Sequence, residues 1–234
     1  MNVWVRRMCT DKKRFLWLML IPVLFVVSRI PVIRTAGQVI SCALYLVINF
    51  LFALLLGMLF CKSKNKIEKI PYAVFMVMGG TVLDQIIKLF IHKFDVKVNI
   101  VGKYLAVKER KNMHQMAMLN FSDVTLDVEW ILLIKVLVTF LMIAGYLYYR
   151  KKNQEGAFGF LGIAIAGVTT ILDTVCWGYT LDYVYFYGIV SYDLKDFIAN
   201  IACGYVIKAG LEQDLKKHTA GVIGKTNHCG KWNP

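Results

Sequence analysis

Long apolar runs decide what this chain can become. Six stand out: Phe15 to Ile33, Val39 to Cys61, Pro71 to Ile91, Trp130 to Tyr149, Ala157 to Trp177 and Phe197 to Leu211. A helix needs about 20 apolar residues to cross the hydrocarbon of a bilayer, and most of these runs reach that length. Of the 234 residues, 58% are hydrophobic, well above the share in soluble domains. The expected fold is an all-α integral membrane bundle of about six transmembrane helices, with a small extracytoplasmic β-rich loop region. Arg29 interrupts the first run, but no small-residue cleavage pattern follows it, so the first two runs read as an anchored hairpin rather than a removed signal.

The formal net charge is +13. Its cations cluster between the apolar runs, as in proteins that fix their orientation in a membrane, so a nucleic-acid partner is not expected. Arg6, Arg7, Lys12, Lys13 and Arg14 precede the first run, and Lys62, Lys64, Lys66 and Lys69 follow the second. Arg150, Lys151 and Lys152 follow the fourth, and Lys208, Lys216, Lys217, Lys225 and Lys231 lie in or beyond the sixth. With six spans these groups share one side, which the positive-inside rule makes cytoplasmic, together with both termini. The connection 92–129 then lies outside. There Val96, Val98 and Ile100 alternate with polar residues and Tyr104 to Val107 is strand-like, which suggests a small outer sheet.

The six cysteines show no CxxC pairing, and the four histidines include no HExxH and no close ligand pair. No metal site and no cofactor are expected. Ionisable residues within the runs carry more information, because a charge in lipid costs roughly 2.5 to 3.5 kcal/mol on insertion scales. Asp173 is expected roughly 24 Å along the fifth run, and Asp196 at the entrance of the sixth, so the two acids can meet at one membrane level. Two close carboxylates cannot both ionise cheaply, and such a pair can supply an acid and a base to activate water against a peptide carbonyl. Asp196 can equally cap its helix, and Asp173 can face headgroups. Asp84 and Lys88, four residues apart, read as a structural ion pair. Lys135 reads as a snorkelling cation, and Gly159, Gly162 and Ala166 as a surface for close helix packing.

These elements in this order resemble the signal peptidase II family of membrane aspartic proteases, over roughly Pro71 to Leu211. Leu83-Asp84-Gln85-Ile86-Ile87-Lys88 is similar to the family's LDQxxK, and Asn112 falls at the asparagine of NxGAAF. Asp173 resembles the aspartate of GNxxDR, Gly178 to Tyr183 resembles GxVVDF, and Tyr192 to Asp196 resembles FNxAD. The resemblance implies catalytic Asp173 and Asp196, with Asp182 in support and Asn112, Thr170 and Asp193 positioning substrate. It also implies a lipid-modified prolipoprotein as substrate, membrane lipids as surroundings and the bacterial cytoplasmic membrane as location.

The chain departs from the pattern at several points. Thr169, Thr170 and Thr174 replace the Gly-Asn and Arg around the first aspartate, His114, Gln115 and Met116 replace residues after Asn112, and Asp193 replaces the asparagine of FNxAD. Asp193 is expected to raise the pKa of a neighbouring acid. An inactive relative that binds a lipidated peptide or partner is therefore an alternative, and a small transporter a third reading. The expected division is 1–66 for a basic segment and hairpin, 67–212 for a four-helix core, and 213–234 for a basic cytoplasmic tail.

Overall fold

The computed structural model describes residues 12–113 and 127–228. Arg6, Arg7, His114, Gln115, Met116, Cys229 and Lys231 lie outside the described residues, as do the side chains of Lys216, Lys217 and Lys225.

Helices α1 (Lys12–Leu18) and α2 (Leu20–Arg29) replace the single helix expected from the first run. Pro22 explains the break: it has no N–H to give to the Leu18 carbonyl, and its ring crowds that group. A 3-10 turn at Ile30–Val32, with a proline in its first positions, ends the segment. Helix α3 (Ala36–Ser63) then starts at a capping box, in which the Thr35 side chain accepts from the Gln38 backbone and the Gln38 side chain accepts from Thr35.

Helix α4 (Ile70–Lys93) leads to strands β1 (Lys97–Val101) and β2 (Leu105–Asn112). Helices α5 (Val128–Tyr149) and α6 (Gln154–Trp177) are followed by β3 (Thr180–Phe186), β4 (Val190–Tyr192) and the long α7 (Leu194–His228). By length and composition, α3, α4, α5 and α6 can each cross a membrane, and Leu20–Val32 is a shorter apolar helix. Four such spans among the described residues, rather than about six, follow from the broken first run and from Lys195, Asp196 and Lys208 in α7.

The spanning helices turn their polar residues inward. On α4, Thr81, Asp84, Lys88 and Ile91 form one buried stripe, while Phe75, Met78, Val82, Ile86 and Phe90 are exposed. On α5, Ile131, Lys135, Thr139 and Tyr146 are buried and Leu133, Val136, Leu137, Phe140 and Leu141 are exposed. This inverted pattern is what lipid demands, since apolar side chains lose nothing against acyl chains and polar ones must find partners inside.

Close backbone approach fixes α7 in place. A Cβ on Gly159 of α6 would come within 2.7 Å of the Ala202 carbonyl oxygen, and one on Gly162 within 2.7 Å of the Ala202 Cβ. Ala166, expected on the same packing surface, instead borders a groove between α5 and α6. On the other side of α7, a Cβ on Gly204 would stand 2.3 Å from the Trp17 carbonyl oxygen and 2.8 Å from the Leu18 Cα. Gly204→Ala is expected to cost about 1–3 kcal/mol by pushing α1 away. Thermal unfolding in detergent measures it, and an unchanged midpoint would show that α1 does not pack there.

The four strands form one antiparallel sheet in the order β1-β2-β3-β4. The first pair falls where the outer strands are expected, and the second pair fills the connection between Asp173 and Asp196. In β3, Leu181 and Tyr183 pack with Ile91 in one apolar cluster. Strand alternation therefore turns Asp182 to the opposite side.

Candidate active site

Lys88 organises the interior at the sheet end of the bundle. Its ammonium lies 2.6 Å from Asp84 Oδ2, 2.6 Å from Asp173 Oδ2 and 2.8 Å from Asp193 Oδ2. The Lys88 side chain is 0% exposed and so is that of Asp173. Helix geometry supplies the Asp84 contact, because residues four apart share a face. Asp173 comes from the last turns of α6 and Asp193 from the turn into α7.

Further donors complete this polar core. Lys88 also donates to Asp173 Oδ1 at 2.9 Å, and Gln85 Nε2 donates to the same oxygen at 2.8 Å. Lys195 lies 3.3 Å from Asp173 Oδ2 and forms an ion pair with Asp193. Tyr183 donates to Asp84 Oδ1 at 3.5 Å. Both Asp173 oxygens thus face cations.

Asp193 joins this lock to a second group of acids. Asp182, Asp193 and Asp196 bring carboxylate oxygens within 4.8 Å of one another, as do Asp84, Asp173 and Asp193. Among the described residues no such group contains both Asp173 and Asp196. The acid placed with Asp196 is Asp182, presented by β3. Asp196 and Asp193 also cap α7 reciprocally: the Asp193 N–H donates to Asp196 Oδ2 and the Asp196 N–H to Asp193 Oδ1, both at 3.2 Å. Capping and pairing, offered by the sequence as alternatives for Asp196, occur together.

Asp182 is buried, and Ser191 Oγ donates to its Oδ2 at 3.0 Å. Burial pushes its pKa up to about 7, Lys195 opposes that shift, and Asp193 adds to it. The expected effect of Asp193 on a neighbouring acid falls on both partners: burial and then Asp193 also hold Asp196 well above the usual carboxylate range. Asp193 itself is held below the usual carboxylate range despite complete burial, because Lys195 and Lys88 favour its charged form.

Two cavities meet at these residues. The larger, of about 960 Å³, is lined by Asp182, Asp196, Lys195, Thr170 and Asn112 among others. The smaller, of about 240 Å³, is the α5–α6 groove, walled by Ile134, Val138 and Met142 from one helix and by Ile163, Ala166 and Gly167 from the other. Thr170, Lys195 and Asp196 line both. A polar chamber and an apolar groove thus share one wall.

Asn112 and Thr170 accordingly stand at the chamber, and Asp84 and Lys88 form the ion pair read from their spacing. Lys135 does not snorkel. It is buried and donates to Thr174 Oγ1 at 2.7 Å, because α5 turns its polar stripe toward α6. Lys195, which lines both cavities and pairs with Asp193, is a site residue that the sequence reading did not include. It sits where the resemblance has the alanine of FNxAD, and its signal was the pairing of a new acid, Asp193, with a new base two residues later. Lys88 pairs with all three acids of the group Asp84, Asp173 and Asp193, and Lys195 pairs with Asp193, the acid common to both groups.

A helical membrane bundle with buried acids under a small sheet defines the class of membrane-embedded acidic-site proteins. The family model described as signal peptidase (SPase) II matches residues 76–211, more than half the chain, and the chain belongs to that family. The family is one of membrane peptidases. Two solved structures share the fold, both described as bacterial membrane enzymes determined by the in meso method, at 2.3 Å and 1.9 Å resolution. The first has a TM-score of 0.53 at 14% identity, covering 64% of this chain and 93% of the other. The second has a TM-score of 0.51 at 14% identity, covering 61% of this chain and 94% of the other. A search of curated protein sequences finds no significant match.

Proposed function

We propose that the chain is a membrane endopeptidase that cuts the signal peptide from lipid-modified prolipoproteins, with Asp182 and Asp196 as its acid–base pair. The observation that carries this reading is the placement of those two carboxyls together at the chamber, while Lys88 neutralises Asp173 in the interior. Asp173 then acts as a structural anchor rather than in the pair first read from the spacing.

The chemistry requires one proton between the two acids. Asp182 as carboxylate takes a proton from water as the water oxygen bonds to the scissile carbonyl carbon, and Asp196, whose pKa burial and then Asp193 hold well above the usual carboxylate range, gives its proton to the carbonyl oxygen. Asp182 then passes the acquired proton to the amide nitrogen, Asp196 recovers one from the diol, and the C–N bond breaks to leave a carboxylic acid and an amine. The apolar groove suits the membrane-spanning part of such a substrate and the polar chamber the part beyond it. In this reading the sheet faces outward from the bacterial cytoplasmic membrane. The touching loops around Glu68 and Arg150, where Arg150 Nη1 donates to the Glu68 carbonyl at 3.3 Å, face the cytoplasm with the basic clusters.

One observation favours a second reading. Asp193 and Lys195 put two buried charges beside Asp196 where the family pattern has neutral residues, which suits a protein that binds a lipidated peptide without cutting it. The purified chain in proteoliposomes, given a diacylglyceryl-modified prolipoprotein between about pH 5.5 and 8.5, separates the two. Cleavage is expected to rise as pH rises through about 7, because Asp182 must lose its proton there to act as the base while Asp196 keeps its own. Tight binding with no product at any pH would establish the binding protein instead.

A further inference from the structure

Strand β3 carries one polar side chain that neither the sheet nor the acid pair uses. Thr180 is 4% exposed, and among the described residues its Oγ1 has no hydrogen-bond partner. We propose that this hydroxyl is a substrate-binding group of the chamber, donating a hydrogen bond to a backbone carbonyl oxygen of the peptide close to the cut bond. This rests on the endopeptidase reading and adds a backbone contact to its site.

Strand geometry aims the hydroxyl at the reacting groups. Leu181 and Tyr183 pack with Ile91 in one apolar cluster, so alternation turns Thr180 and Asp182 together to the opposite side. Both residues line the chamber, as does Asp196. The register partner of Thr180 in β2 is Asn112, which lines the same cavity. Thr180 and Asp182 are two strand positions apart, about 6.6 Å, which is also the spacing of carbonyls that point the same way in an extended peptide. A peptide lying along β3 with its scissile carbonyl at Asp182 therefore presents the carbonyl two residues away to Thr180.

The chemistry of the position specifies what it accepts. Thr180 stands where the GxVVDF pattern has a valine. Threonine keeps the shape of valine and exchanges one methyl for a hydroxyl, so the packing is retained and a donor is added. A buried hydroxyl without a partner costs stability, and a substrate that pairs with it removes that cost on binding. The carboxyl oxygens of Asp182 and Asp196 can accept from substrate N–H groups, whereas Thr180 supplies a neutral donor. A single neutral donor suits a neutral carbonyl oxygen, and a peptide has one at every residue whatever its side chains.

Thr180→Val tests the contact because it moves folding and substrate binding in opposite directions. Its unfolding midpoint in detergent is expected to rise, since an unpaired buried hydroxyl is gone, while kcat/KM for a diacylglyceryl-modified peptide falls about tenfold, through KM. Thr180→Ser keeps the hydroxyl and should keep most of the wild-type kcat/KM. A thioamide, whose sulfur is a poor acceptor, is then placed in the peptide two residues from the cut bond, on one side or the other. At one of these positions it is expected to cost the wild type about tenfold and Thr180→Val little, because the two changes remove the same bond. Equal thioamide effects in both proteins at both positions overturn the proposal, as does a lowered midpoint for Thr180→Val, which would mean that the hydroxyl is already paired. If no form of the chain cuts, equilibrium binding of the same peptides reads the same comparison, so loss of the peptidase reading and loss of the Thr180 contact are separate outcomes.

Discussion

Lys88→Met is expected to destabilise the chain by about 3–5 kcal/mol, the cost of removing one partner from a buried ionic cluster. The size follows from what the ammonium faces: Asp84, Asp173 and Asp193 all lie within 2.8 Å of it. Methionine fills a similar volume but leaves those carboxylates facing one another with only Lys195 in reach of two of them. Unfolding of wild type and variant in mixed micelles measures the difference. A wild-type midpoint would mean that Lys88 is not the centre of the interior lock.

Asp182→Asn is expected to lower peptide cleavage by about 10²–10⁴-fold, the range for loss of a general base, with no loss of folding stability. The amide can still accept from Ser191, which now donates to Asp182 Oδ2, and it removes a negative charge from a group of three acids. Asp173→Asn has a different signature: it weakens the contacts of Lys88 and Gln85, so stability falls along with any activity. Cleavage and unfolding midpoints for both variants form the comparison. Full cleavage by Asp182→Asn would remove Asp182 from the chemistry and return Asp173 to it.

The sequence exposed the membrane bundle because lipid exposure writes long apolar runs. It showed Asp84–Lys88 because their spacing determines a shared helix face. It could not show that Lys88 reaches Asp173 and Asp193, 85 and 105 positions away, since those contacts exist only once three helices converge. Which acid stands beside Asp196 was hidden for a related reason. Helix lengths alone let Asp173 meet Asp196 at one membrane level, whereas the structure groups Asp196 with Asp182 and Asp193. Once β3 forms, alternation points Asp182 into the chamber and leaves Asp173 inside. The outward polar/apolar alternation that would have marked β3 is faint, because Thr180, Leu181, Asp182 and Tyr183 are all buried. Lys135 was misread because a lone lysine gives no sign of which neighbour its helix stripe will meet.

The four-residue spacing of Asp84 and Lys88 also matters before any tertiary structure exists. Each charge alone would add roughly 2.5 to 3.5 kcal/mol to insertion of α4. Joined on one helix face at 2.6 Å, they can enter the bilayer as a nearly neutral couple. The lysine then still has donors to offer, and α6 and the start of α7 supply the acids that satisfy them. A helix that crosses the membrane carrying its own counter-charge becomes the template on which the later, more polar segments assemble.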